Sequence, residues 1–126
     1  MLLRSVLRAM VILLTADLSC SETSETTVSV GKLRSSAEVA FTKGDVDQAL
    51  RLWSQVISLE PSNETNYYKR FRVYLRQNRL KEALADLSSA LSLKPDYEAV
   101  LVQRAKLQLK VGRCVEARAD FDKLRR

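Results

Sequence analysis

Histidine and cysteine, the side chains that most often serve as nucleophiles, proton shuttles and metal ligands, are scarce in this sequence. Its 126 residues include no histidine, which excludes Ser-His-Asp and Cys-His catalysis and histidine-containing zinc sites. The two cysteines, Cys20 and Cys114, are too few for a disulfide framework or a four-cysteine metal site. Nucleophilic and zinc-dependent chemistry is therefore not expected.

Acidic pairs are the other candidates for chemistry, because two carboxylates can act together as acid and base. Asp45 with Asp47 and Asp120 with Asp122 are such pairs. We expect them at helix starts or on exposed faces, where acids are usually caps or solvated charges. The sequence also lacks a phosphate-binding loop and a glycine-rich dinucleotide turn. It therefore predicts a protein that is not an enzyme and needs no cofactor or metal.

The composition favours a helical, globular chain. It is 46% hydrophobic and 29% charged, with only 3 glycines and 2 prolines, and so few helix breakers indicate an all-α fold. The formal net charge is +6, and basic residues cluster within 69–72 and 76–81. Nucleic-acid-binding motifs are absent there, so these clusters are interpreted as a solvated face and no nucleic-acid partner is predicted.

The N-terminal segment has the pattern of a secretory signal. Arg4 and Arg8 precede an uncharged run over residues 9–16, which small residues follow at Ser19–Ser21. The run is shorter than the roughly 18 residues of a membrane span, so no span is predicted. An amphipathic first helix is the alternative, but residues 10–14 are apolar on every side. We predict a cleavable signal peptide over residues 1–21.

Cleavage after Ser21 is the preferred reading, with cleavage after Cys20 as the rival. Residues 22–29 are rich in Ser, Thr and Glu without a helical period, and they are interpreted as a flexible lead-in. The mature chain would then keep one thiol and form no internal disulfide.

Residues of the same type recur every 34 positions in the rest of the chain. Ala49, Ala83 and Ala117 follow this spacing, as do Pro61 and Pro95. Apolar series follow it too: Trp53, Leu87 and Phe121; Val39, Val73 and Leu107; and Val46, Leu80 and Cys114. A fixed period of this length indicates a repeat array. Because Cys114 shares its repeat position with Val46 and Leu80, buried packing is favoured for it over a reactive thiol.

Each repeat has the pattern of two helices joined by a tight turn. Gly44 and Gly112, with Asn78 midway between them, are residues that tolerate a left-handed turn. Asp45 and Gln48 have the spacing of a capping box for the second helix of the first repeat.

These repeats resemble the tetratricopeptide repeat (TPR), which has a small residue at its closest helix crossing and a proline near its end. Phe71, a large residue at a small position, and Gln108, a polar one at an aromatic position, depart from the pattern. The predicted architecture is an all-α TPR helix–turn–helix solenoid of about three repeats behind a signal peptide. The repeats are 30–63, 64–97 and an incomplete third at 98–126, which we expect to belong to a longer array.

The TPR resemblance implies a concave groove, lined by the first helix of each repeat, that binds peptides. An apolar strip with basic flanks is expected there. Its predicted binding residues are Phe41, Tyr68, Arg72, Leu75, Val102, Lys106 and Leu109. Packing against other helices is an equally open interpretation for Leu75 and Leu109.

One TPR subclass binds the C-terminal carboxylate of chaperones through a clamp of Lys, Asn and Arg residues. The matching positions here are Arg34, Glu38, Lys69, Ala99 and Gln103. Only Arg34 could serve, and Glu38 would repel a carboxylate at short range, so clamp function is not expected.

Asn63-Glu64-Thr65 is the one N-glycosylation sequon. It lies in the turn between the first two repeats. Asn63 is a possible glycan acceptor there, and a simple helix cap is the alternative.

A closer resemblance is to the endoplasmic-reticulum co-chaperones that join TPRs to a J domain, the family of DnaJ homologue subfamily C member 3, of protein kinase inhibitor type. It rests on a signal peptide before TPRs and on short matches at Tyr67–Arg70, Val102–Arg104, Leu107–Gly112 and Asp120–Lys123. It implies a lumenal module that binds unfolded clients and reaches a lumenal Hsp70 only indirectly, because the His-Pro-Asp motif of a J domain is absent. A TPR scaffold that joins folded partners of the secretory pathway is the alternative.

Overall fold

The structure, a computed structural model, describes residues 29–125. Over that range it contains six α-helices joined by short turns and no β-strand. Helix α1 covers residues 29–43, and the others are α2 (Val46–Leu59), α3 (Glu64–Arg76), α4 (Leu80–Leu93), α5 (Glu98–Lys110) and α6 (Cys114–Leu124). The all-α prediction is confirmed.

The proposed signal peptide and nearly all of the lead-in lie outside the described residues. Residues Leu33–Arg126 belong to one compact unit, and the contacts given below lie within it. Within the described residues, no helix combines the length and the apolar character that a membrane crossing requires.

Consecutive helices pack against each other along the chain, α2 on α3, α3 on α4, α4 on α5 and α5 on α6. Such near-neighbour packing is typical of repeat arrays, in which each unit buries its apolar face against the next. The predicted solenoid of helix–turn–helix units is confirmed.

The turn inside each unit has a left-handed residue at its centre, as the sequence predicts. Gly44, Asn78 and Gly112 have φ angles of 86°, 58° and 84°. The amide of Asp45, one residue later, donates to the Ala40 carbonyl at 2.9 Å, the six-residue ring of a Schellman motif. Equivalent bonds join Arg79 to Tyr74 and Arg113 to Gln108.

Side-chain caps start two of the helices. The Asp45 carboxylate accepts from the Gln48 amide of α2 at 3.3 Å, and the Asn63 side chain accepts from the Thr65 amide of α3 at 3.1 Å. Only half of the predicted capping box is present, because the Gln48 side chain accepts from Arg51 instead.

Burial of the repeated alanines agrees with the close helix crossings that the sequence predicts. Ala49, Ala83 and Ala117 are all fully buried. Phe71, which departs from the repeat pattern, lies in the hydrophobic core cluster at 2% exposure. The core therefore accommodates this larger residue without losing the repeat geometry.

The members of two apolar repeat series that lie on α6 are exposed to solvent. Leu87 is fully buried, but Phe121, its equivalent, is 37% exposed. Cys114 is exposed as well, so the expectation of buried packing for this thiol was wrong. The reason is geometric, because α4 is covered by α5 whereas no described helix follows α6.

Replacing Ala83 by Leu tests the close crossing. The larger side chain would overpack the interface and lower the free energy of unfolding by about 1–3 kcal/mol. Ala85, exposed on the same helix, is the matched control, and Ala85→Leu should change stability little. Urea unfolding of both variants is the measurement, and equal stabilities would contradict the described packing.

Candidate functional site

A buried ion pair fixes α3 against α4. Arg70 donates from Nε to Asp86 Oδ2 at 2.8 Å and from Nη2 to Oδ1 at 2.6 Å, and Asp86 is 3% exposed. The Nη1 atom of Arg70 also donates to Ser54 Oγ on α2 at 3.4 Å. One guanidinium therefore connects three successive helices.

The same arrangement recurs 34 residues later. Arg104 donates to both oxygens of Asp120 at 2.7 and 2.6 Å, and to Ser88 Oγ at 3.4 Å. Asp120 is 1% exposed. The expectation of a solvated or helix-start position for Asp120 was therefore wrong, because its helix turns this carboxylate toward α5.

Burial and pairing oppose each other at the first of these sites. Burial raises the pKa of Asp86 above its usual value, while the hydrogen bonds and charge of Arg70 counter that rise. The hydrogen bond to Asp86 also raises the pKa of Arg70. The Asp86 carboxylate thus depends on Arg70 to remain charged between the helices.

These pairs hold α3 and α5 in equivalent orientations, which defines a common surface together with α1. We call it the first-helix face. It comprises the seven predicted binding residues and the side chains at the other positions that the TPR pattern assigns to the groove, which are Arg34, Glu38, Thr42, Thr65, Arg76, Ala99 and Lys110. In a TPR fold this is the concave side.

Two leucines are the most exposed of its large apolar side chains. Leu75 on α3 is 39% exposed and Leu109 on α5 is 48% exposed. They occupy equivalent positions, 34 residues apart. Val102 lies on the same helix as Leu109 and is half-buried. The leucines, whose role the sequence left open, thus present apolar surface to solvent.

Phe41 lies against cations. The guanidinium carbons of Arg72 and Arg76, on α3, are each 4.7 Å from the centroid of its ring. Arg76 also donates to the Phe41 carbonyl at 2.8 Å. The structure therefore brings Phe41 and Arg72 together as predicted groove residues, but the ring is partly covered by arginine.

Tyr68 is more engaged with the core than the groove interpretation assumes. It is half-buried, packs against the apolar cluster, and its ring centroid lies 5.7 Å from that of Phe71 and 5.9 Å from that of Tyr97. The ring therefore supports the junction between repeats, which leaves only part of it available on the first-helix face.

Three of the five clamp positions, Arg34, Glu38 and Lys69, take part in internal ion pairs. Lys69 places its ammonium 2.9 Å from Glu38 Oε1, and Arg34 is paired with Glu60. Arg72 is 4.0 Å from the same Glu38 oxygen. The only clamp-compatible residue, Arg34, is thus neutralised by an acid of its own chain.

The side chain of Asn63 is turned inward to its neighbours. In addition to capping α3, its Nδ2 lies 3.3 Å from Glu60 Oε2 and donates to it. A glycan would be attached to this nitrogen and would disturb its hydrogen bond to Glu60. Glycosylation of Asn63 stays a prediction. No cluster of potential metal ligands occurs among residues 29–125.

The similarity of this chain to known proteins lies in three-dimensional structure, and the matches cover 75% of the chain. No family model and no curated sequence matches the chain. The TPR domain of P58(IPK) is 34% identical with a TM-score of 0.71, over 75% of this chain and 26% of that one. Yeast Tom70 is 25% identical with a TM-score of 0.72, over 75% of this chain and 19% of that one.

A third similar structure is the first TPR of Spaghetti (RPAP3), solved bound to the HSP90 peptide SRMEEVD. It is 20% identical with a TM-score of 0.69, and the match covers 75% of each chain. The helices described here therefore form a TPR fold, as the 34-residue period predicts. The chain spans only 26% and 19% of the P58(IPK) and Tom70 chains.

Removing one partner of the buried pair should be costly. Asp86→Ala leaves the Arg70 guanidinium unpaired and should lower the free energy of unfolding by about 3–5 kcal/mol, nearer the lower figure because Arg70 retains contact with solvent. The first repeat has Ser36 and Leu52 at the equivalent positions. The double variant Arg70→Ser with Asp86→Leu should therefore be more stable than Asp86→Ala.

Urea unfolding of the two variants and the parent measures this difference. A double variant less stable than the single one would contradict the assignment of the pair as the source of the loss.

Proposed function

We propose that this chain is a non-enzymatic co-chaperone module that binds unfolded or misfolded polypeptide on the first-helix face. The observation that supports this proposal most directly is the exposure of Leu75 and Leu109 at equivalent positions on α3 and α5. Non-native chains expose apolar side chains without a fixed sequence, and a repeated apolar surface suits them.

The available apolar area sets the strength of this interaction. Burial of apolar surface stabilises a complex by about 25 cal/mol per Å², and a fully buried leucine contributes about 1.5–3 kcal/mol. Two leucines that are 39% and 48% exposed can gain only part of that. Binding to any one segment is therefore weak, which suits a module that must release its clients.

The similarity to TPR domains in chaperone systems supports a protein-binding role. The RPAP3 domain holds an HSP90 peptide, but this chain has Glu38 and Ala99 among the positions of a carboxylate clamp. We therefore propose clients on the first-helix face in preference to a chaperone tail. The 34% identity with the P58(IPK) TPR domain gives limited support to the J-domain co-chaperone family.

The proposed location is the lumen of the endoplasmic reticulum. It rests on the signal pattern over residues 1–21, which lies outside the described structure. Clients would be handed over to a lumenal Hsp70 through a J domain on another polypeptide or segment, since this sequence has no histidine for a His-Pro-Asp motif.

A scaffold that joins folded proteins is the second candidate. It is favoured by the outward side of α6, where Val115 is 81% exposed and Phe121 is 37% exposed. Such a surface would suit one stoichiometric folded partner, whereas a client binder should prefer denatured chains to their folded forms.

The test removes the exposed leucines. Leu75→Ser combined with Leu109→Ser should weaken the suppression of aggregation of a heat-denatured or reduced substrate protein, because the client loses its apolar contact. Val115→Ser is the matched control, since this side chain is equally apolar but lies on a second helix. Light scattering measures aggregation, and circular dichroism checks that helicity is retained.

Equal protection by the parent and the double leucine variant would count against client binding on this face. Loss of protection in Val115→Ser alone would place client binding on α6 instead, and stoichiometric binding of a folded protein without any protection would favour the scaffold.

A further inference from the structure

At the junction between α1 and α3, an apolar side chain contacts two cations. Phe41 of α1 lies against Arg72 and Arg76 of α3, two cations one helical turn apart. Counting 34 residues forward from each member gives Leu75 on α3 with Lys106 and Lys110 on α5. The repeat therefore predicts the same neighbours at the junction of α3 and α5, an apolar side chain beside a pair of cations.

The two junctions differ in charge balance. At the first, Glu38 lies 2.9 Å from Lys69 and 4.0 Å from Arg72. At the second, the residue equivalent to Glu38 is Arg72, a cation. Within the described part of the chain, no carboxylate lies within 4.0 Å of the Lys106 or Lys110 ammonium, and both residues are exposed.

We infer that the junction of α3 and α5 selects extended client segments with acidic residues two positions apart and apolar residues further along the same side of the chain. The acidic side chains would contact Lys106 and Lys110, and the apolar ones would contact Leu75 and Leu109. This inference rests on the proposed function and gives it a sequence preference.

The spacing of the cations matches an extended polypeptide. Residues four apart on a helix are separated by about 6 Å along its axis. Side chains on one side of an extended chain recur every second residue, at about 6.4–6.8 Å. An Asp-x-Asp or Glu-x-Glu segment can therefore reach both lysines at once.

The surroundings of the lysines favour polypeptide over nucleic acid. The most exposed apolar side chains of the first-helix face are aliphatic, Leu75 and Leu109. Its rings are engaged elsewhere, Phe41 with arginines and Tyr68 with the core. Single-stranded nucleic acids are usually bound where aromatic rings interleave with the cations and stack on bases. Exposed charge pairs are also screened over about 8 Å at physiological ionic strength, so the preference should weaken with salt.

The test compares three fluorescent peptides with the same apolar residues and either Glu, Gln or Lys at two positions that are two residues apart. Binding of each to the full chain is followed by fluorescence anisotropy from low to high salt. The Glu peptide should bind about fivefold more tightly than the Gln peptide at low salt, and this ratio should approach one at high salt.

Variants separate the junction from the overall charge. Lys106→Gln with Lys110→Gln should remove most of the preference for Glu, so that the Glu and Gln peptides bind with about equal affinity. Lys81→Gln with Lys123→Gln removes the same charge from exposed positions on second helices and should keep the preference.

Each contrary result has a distinct meaning. Equal binding of the Glu and Gln peptides overturns the inference and leaves the proposed client binding intact. Equal loss in both double variants also overturns it, because the effect would follow net charge alone. Failure of all three peptides to bind overturns both, and tighter binding of a single-stranded oligonucleotide than of the Glu peptide overturns it in favour of nucleic acid.

Discussion

The buried, two-point hydrogen bonding of an arginine to an aspartate is the constraint on which the rest of this structure depends. In the second and third repeats, Arg70 with Asp86 and Arg104 with Asp120 join the first helix to the second. The remaining guanidinium nitrogen reaches a serine of the preceding repeat. A charge buried between helices must be paired because an unpaired one is costly, so the rotation of α3 and α5 about their axes is restricted. That restriction directs the same positions of each helix to the first-helix face.

The chemistry of that face follows from what the helices leave uncovered. Leu75 and Leu109 supply apolar surface, while Lys106 and Lys110 supply charge without an acid partner among the described residues. The first junction differs because Glu38 balances its cations. The face therefore changes from a self-paired end at α1 to an open, basic and apolar end at α5, where we place the contact with clients.

Periodicity predicts the fold here far better than it predicts the contacts. Ala49, Ala83 and Ala117 identify the close crossings, and Gly44, Asn78 and Gly112 identify the turns, because both depend on local properties that recur with the repeat. Cys114 was expected to be buried because its repeat position is apolar, but a position is buried only where another helix covers it. The sequence analysis did not predict the Arg70–Asp86 pair. The available signal was the recurrence of both residues 34 positions later, as Arg104 and Asp120. The placement of Tyr68 against Tyr97 depends on tertiary packing that spacing alone does not give.

The central claim is that clients contact the first-helix face at α3 and α5. Methyl-labelled NMR of the full chain, titrated with a permanently denatured substrate protein, tests it most directly because Leu, Val and Ile methyl groups report on both candidate surfaces. The account predicts shifts or broadening at Leu75, Val102 and Leu109, with Val115 unchanged. Perturbation of Val115 without change at Leu75 and Leu109 would contradict it.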